Sequence, residues 1–113
     1  MASHRPDLPI FSLEITAGDD GGTTVSVGGE LDLASADEFS RGVSGALAAG
    51  AVRIDLRNVT FVDSAGVRAL NTALREAAES GRTLRISGEM HPSVIQILEL
   101  TGMLGLLPLE GGR

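Results

Sequence analysis

The run Asp63-Ser64-Ala65-Gly66 sets a carboxylate, a hydroxyl and two small residues where an alternating segment gives way to helical spacing. Val52, Ile54 and Leu56 alternate with polar neighbours as a strand, and a short link follows. A helix is predicted from Ser64 to about Ser80, with Val67, Leu70, Leu74 and Ala77 on its inner stripe and Gly81 as its stop. Ser64 then lies at a helix N-terminus, where free backbone N–H groups and the helix dipole favour negative charge. Such a hydroxyl suits two jobs. As an N-cap it is worth about 1 kcal/mol against alanine. As a phosphoryl acceptor it gains about −1.5 to −2 charges and three acceptor oxygens. A third chemistry would make Ser64 a nucleophile with His91 as base and an aspartate to orient it. That reading lacks the glycine two residues before the serine that a nucleophile elbow needs, and His91 beside Pro92 reads more simply as a helix start.

The elements that must position these residues alternate strand and helix. Phe11, Leu13 and Ile15 alternate with polar residues as a half-buried strand, and Gly18 to Gly22 reads as a hairpin turn into a strand over Thr24–Gly28. No Gly-Lys-Ser/Thr follows the glycines, so a plain turn is favoured over a phosphate loop. The loop Gly29–Asp32 leads into Ser35-Ala36-Asp37-Glu38, a capping-box pattern with Ser35 as N-cap. Phe39, Val43, Ala46 and Leu47 follow at helical spacing and Gly50 ends that helix. Leu84 and Ile86 mark another strand. Pro92 opens a third helix with Val94, Ile95 and Leu98 inward, Gly102 closes it, and Leu106–Leu109 suits a last short strand.

Each strand keeps one polar face, unlike the unbroken apolar runs of a sheet covered on both sides. The expected fold is therefore a two-layer α/β domain: a mixed sheet with helices mainly on one face and right-handed crossovers. Strand C-terminal ends and helix N-termini share one rim in such a fold, which should gather Ser64, His91 and the loop Gly29–Asp32. Residues 8–109 read as one domain, with 1–7 and 110–113 as flexible tails.

Composition removes several function classes. At 113 residues and 42% hydrophobic content the chain can build one modest core. With no cysteine and two histidines it holds neither disulfides nor a thiolate or histidine-rich metal site, and no cofactor is expected. A net charge of −6, carried against scattered arginines, opposes binding to nucleic acid or an anionic membrane. Three phenylalanines and no other aromatic leave no platform for base stacking. No signal peptide is recognisable, and the apolar run Leu104–Leu109 is too short to cross a bilayer, so a cytoplasmic location is expected.

Four segments stand in register over about residues 10–109: Gly29-Glu30-Leu31-Asp32, Ile54-Asp55-Leu56, Val59 to Gly66, and Leu98 to Met103. In these the chain resembles the STAS domain, and within it the free-standing anti-sigma factor antagonists of bacteria. The resemblance implies a non-enzymatic phosphorylation switch. Unphosphorylated, such a protein binds an anti-sigma factor that is also a GHKL-type serine kinase, and a sigma factor is freed. The kinase modifies the serine after the aspartate, here Ser64, and a metal-dependent phosphatase reverses it. Asp63 matches a residue that shapes the kinase-facing loop, and Asp32 one near the modified serine that affects phosphorylation and partner binding. Ala65 stands where many relatives carry a second serine, which leaves one hydroxyl to modify. The carboxy-terminal helix usual in the family is expected to be absent or rudimentary after Leu109.

On the residues themselves, Gly66 reads as a point of close backbone approach at the first helical turn. Arg68 is expected to point outward, toward partner or water. Together Asp32, Asp63, Ser64, Ala65, Gly66 and Arg68 form the expected partner-binding set. An alternative within the same family is a subunit of a lipid-trafficking ABC transport complex that is not phosphorylated, with Asp63–Gly66 serving only packing.

Overall fold

A computed structural model describes residues 11–18 and 20–110. The predicted tail residues 1–7 and 111–113 lie outside that range. Alternating segments become strands β1 (Ser12–Ala17), β2 (Thr23–Leu31), β3 (Val52–Val62) and β4 (Leu84–Ile86). Helical spacing becomes α1 (Ala36–Ala49), α2 (Ser64–Ser80) and α3 (Pro92–Leu100), followed by a short 3-10 turn over Leu104–Leu106. The strands lie in the order β1-β2-β3-β4, with β1 antiparallel to β2 and the rest parallel. This is the mixed sheet expected.

Two strands run further than expected. β2 continues through Glu30 and Leu31, and the predicted link after Leu56 is the second half of β3. A strict alternation cannot run that far here, because β3 carries two extra residues relative to β2. Ser26 pairs with Asp55 but Gly28 with Asn58, and Gly29 pairs with Val59 but Glu30 with Phe61. Each bulge restores the apolar phase, so that Val59 and Val62 turn back into the core after Leu56. The bulges thereby carry β3 to the rim and set Asp63 at its end.

The core lies between one sheet face and the helices: Val25, Val27, Leu31, Ile54 and Leu56 meet Phe39, Val43, Leu47, Leu70, Val94 and Leu98. The four predicted inward residues of α1 are all buried. The predicted stripe of α2 packs on the core, but unevenly. Leu70 and Ala77 are buried, but Val67 and Leu74 are half-buried. Ala65, Ala69 and Ala73 are buried as well and form, with Ala77, a row of small residues beside Leu70. Small residues at this four-residue interval let α2 lie close against α1, where Ser44 Oγ donates to Glu76 Oε2 at 2.6 Å.

Two carboxy-terminal expectations also change. Leu104–Leu106 closes into a 3-10 turn, and only Leu109 pairs as strand, in a single parallel bridge to Ile86. Glu110, placed in the flexible tail by its sequence context, is held. Its backbone N–H donates to Ile86 O at 2.8 Å, and its carboxylate accepts two bonds from Arg53 Nε at 2.7 and 2.8 Å.

The opposite sheet face is polar. On it Asp55 is buried and accepts from the Arg57 backbone N–H at 3.0 Å, Arg57 Nη2 at 2.8 Å and the Ser87 hydroxyl at 3.2 Å. Burial alone would raise its pKa. The Arg57 donors and charge, with Ser87, outweigh that and hold the carboxyl below its usual 3.8. A carboxyl depressed in the native state contributes stability above its unfolded pKa and loses it as pH falls through the native value. Asp55→Asn is therefore expected to lower the unfolding midpoint at pH 7 and to flatten its decline in acid, as thermal melts from pH 7 to about pH 3 would record.

Candidate functional site

The rim where β2 and β3 end is built around one carboxylate. Asp63 takes an extended conformation (φ −104°, ψ −172°), and its Oδ1 accepts the Gly66 backbone N–H at 3.0 Å, which makes it the N-cap of α2. Capping is one of the two readings of Ser64, and the residue does not fill that role. It is instead the first helical residue, one position too far along to bond the next free N–H groups, and its side chain is exposed. No hydrogen bond among the described residues engages its hydroxyl. The other oxygen of Asp63, Oδ2, accepts the Leu33 backbone N–H at 3.3 Å, while the Asp63 N–H donates to Leu31 O at 3.3 Å. One side chain thus joins the turn after β2 to the start of α2.

Asp32 organises that turn. Its Oδ1 accepts the N–H groups of Ala34 and Ser35 at 3.1 and 3.2 Å, and its carbonyl accepts that of Ala36 at 2.8 Å. The capping box predicted at Ser35 does not form. Ser35 is buried and already helical (φ −109°, ψ −7°), and its hydroxyl donates to Glu30 O at 2.8 Å while accepting from Asp32 N at 3.0 Å. The side-chain bonds at this corner come instead from Asp32, in the turn that follows the extended β2 directly, while α1 itself carries no side-chain cap at Ser35. Leu33 stands out at 78% exposure at the rim.

Gly66 occupies the tightest point of the rim. A Cβ there would lie 2.2 Å from Leu31 O and 2.8 Å from Val62 Cγ1, closer than packed atoms approach. Ala65 is buried beside it. Arg68 is exposed, as expected, and lines a shallow groove between α1 and α2 with Leu33, Asp37, Ser40, Ala65 and Thr72. The structure thus brings Asp32, Asp63, Ser64, Ala65, Gly66 and Arg68 onto one rim and its adjoining groove.

His91 reaches the same end of the sheet but serves α3. Its Nδ1 accepts the Ser93 backbone N–H at 3.3 Å and lies 2.9 Å from Ser93 Oγ, which itself donates to Thr60 O at 2.8 Å. Its Nδ1 serves the helix start, and no hydrogen bond joins the ring to Ser64 among the described residues. No group of His, Asp or Glu that could hold a metal ion occurs among the described residues. No helix among them is long and apolar enough to cross a membrane.

Sequence reasoning overlooked Leu33 and Ser93. The signal for Leu33 was an apolar residue lodged between two turn-forming side chains, Asp32 and Ser35. Asp63→Ala is expected to lower stability by about 2 kcal/mol, since it removes a helix cap and a second backbone acceptor. Faster amide exchange should appear at Leu33 and Gly66 together, on opposite sides of the lost carboxylate.

A mixed sheet with its helices on one face, and a serine following a capping aspartate at the rim, define a small α/β domain of the STAS type. The chain belongs to the STAS domain family: the family model described as the Mlab STAS domain matches residues 16–108. Among solved structures it is similar to an anti-sigma factor antagonist from Mycobacterium paratuberculosis, at 25% identity and a TM-score of 0.78, over 95% of this chain and 89% of that one. It shares the fold of the anti-sigma factor antagonist SpoIIAA in its unphosphorylated form, at 17% identity and a TM-score of 0.71 over 87% of each chain. The phosphorylated form of the Bacillus cell fate determinant SpoIIAA superposes with a TM-score of 0.65 at 16% identity, over 87% of this chain and 90% of that one. No curated protein matches the chain in sequence.

Proposed function

We propose that this chain is an anti-sigma factor antagonist switched by phosphorylation of Ser64. In the unmodified form the rim docks on an anti-sigma factor that is also a GHKL-type serine kinase, and a sigma factor is released. The kinase then transfers the γ-phosphoryl group of ATP to Ser64 Oγ. A new O–P bond forms, the bond to the β-phosphate oxygen breaks, the hydroxyl proton departs and ADP is left. A metal-dependent phosphatase hydrolyses the ester and returns the serine with inorganic phosphate. The chain itself performs no catalysis, needs no cofactor, touches neither nucleic acid nor membrane and acts in the cytoplasm.

The observation that carries this reading is the contrast around Ser64. Asp63 is committed to two backbone donors and Ala65 and Gly66 are buried, while the hydroxyl between them stands exposed and unengaged. A phosphate can be added there without disturbing the packing beneath it. The names of the structural neighbours supply the class of partner.

The test is incubation with the cognate kinase and ATP, followed by mass spectrometry. One phosphate is expected on the wild type and none on Ser64→Ala. Equal modification of the two would remove the assignment. Copurification with an ABC transporter, unaffected by Ser64 replacement, would instead favour the transport-complex reading.

A further inference from the structure

Resting on the reading that Ser64 is phosphorylated, the geometry points to Arg68 as the group that receives the phosphate within the same chain. Ser64 and Arg68 stand four residues apart in α2, and side chains at that spacing lie one above the other on a helix face. Helical side chains lean toward the N-terminus, so Arg68 leans back toward Ser64. Both are exposed. The anionic member would precede the cation, which is the favourable order for such a pair. A guanidinium presents parallel N–H donors that match two phosphate oxygens.

Arg68 is also uncommitted. Its remaining helical neighbours at three and four residues are Ala65, Asn71 and Thr72, whereas Arg75 has Glu79 four residues on. No ion pair engages it among the described residues. Asp37 on α1 lines the same groove as Arg68, and two more carboxylates stand on the adjoining rim, Asp63 at the cap of α2 and Asp32 in the turn after β2. All three repel a phosphate on Ser64, and Arg68 is the cation lining that groove. Modification would then change the docking face twice. It adds a dianion, and it withdraws a positive charge that the unmodified face offers to a partner.

The test installs phosphoserine at position 64 by genetic encoding, which keeps the kinase out of the question. The second ionisation of the phosphate is followed by 31P NMR in the Arg68, Arg68→Gln and Arg68→Lys chains. Far-UV circular dichroism checks that each is folded. The midpoint is expected about 0.3 pH unit lower with arginine than with glutamine. Lysine should fall between them, and added salt should narrow the gap. The Arg68 Nε–H resonance should be slowed in exchange only in the modified chain. The three aspartates are common to all variants and cancel in the comparison. Superimposable titrations with arginine and glutamine would overturn the pairing alone. A kinase that leaves Ser64 unmodified would overturn the underlying reading, whatever the titrations show.

Discussion

Gly66→Ala is expected to destabilise the domain by about 3 kcal/mol, lowering its thermal midpoint by about 15 °C. The added methyl would sit 2.2 Å from the carbonyl oxygen of Leu31 and 2.8 Å from a methyl of Val62. Neither neighbour can yield cheaply. The Leu31 carbonyl is fixed in β2 and also accepts the Asp63 N–H, so α2 must back away from the sheet and loosen the Asp63 cap as it does so. Gly45→Ala is the matched control. It lies in α1 with open space around its Cβ position, and there alanine should stabilise by about 0.5–1 kcal/mol. Thermal melts followed by circular dichroism would read both, with opposite signs.

Phosphorylating Ser64 is expected to weaken docking on the proposed anti-sigma partner by tenfold to a thousandfold while leaving the fold intact. That range corresponds to about 1.4–4 kcal/mol, and one poorly compensated charge at an interface suffices for it. The fold should survive because the phosphate is added to an exposed residue in the first turn of α2, where negative charge is favoured. Docking should fail because a dianion must shed water against a surface fitted to a neutral hydroxyl. Ser64→Ala should therefore bind constitutively, and Ser64→Glu should bind poorly.

What was legible in the residues was the periodicity. The inward set of α1, the Gly81 stop of α2 and the Pro92 start of α3 could be read because each rests on local spacing or on one residue's backbone preference. The mixed sheet and its bare polar face followed from alternation within the strands. The extent of β2 and β3 was not legible. Two bulges break the period-two pattern of β3, and their position depends on pairing with β2, a partner more than twenty residues away in sequence. The capping assignments failed for a different reason, a choice between neighbouring local caps. Ser64 and Ser35 each fit a local cap, but the local bonds are made by aspartates, Asp63 accepting from Gly66 and Asp32 from Ala34 and Ser35, and Asp63 adds one distant contact, to Leu33. The alanine row of α2 escaped attention because hydrophobic pattern favours large residues, whereas close helix contact here favours small ones. The close approach at Gly66 was foreseen from its place in the first turn, although the atom it meets, Leu31 O, belongs to another element.

The most direct measurement is isothermal titration of one anti-sigma partner with two preparations of this chain, one bearing the ester on Ser64 and one with the alcohol free. A dissociation constant at least tenfold larger for the esterified chain is the expected result. Matching constants, with complete modification verified by mass, would contradict the account.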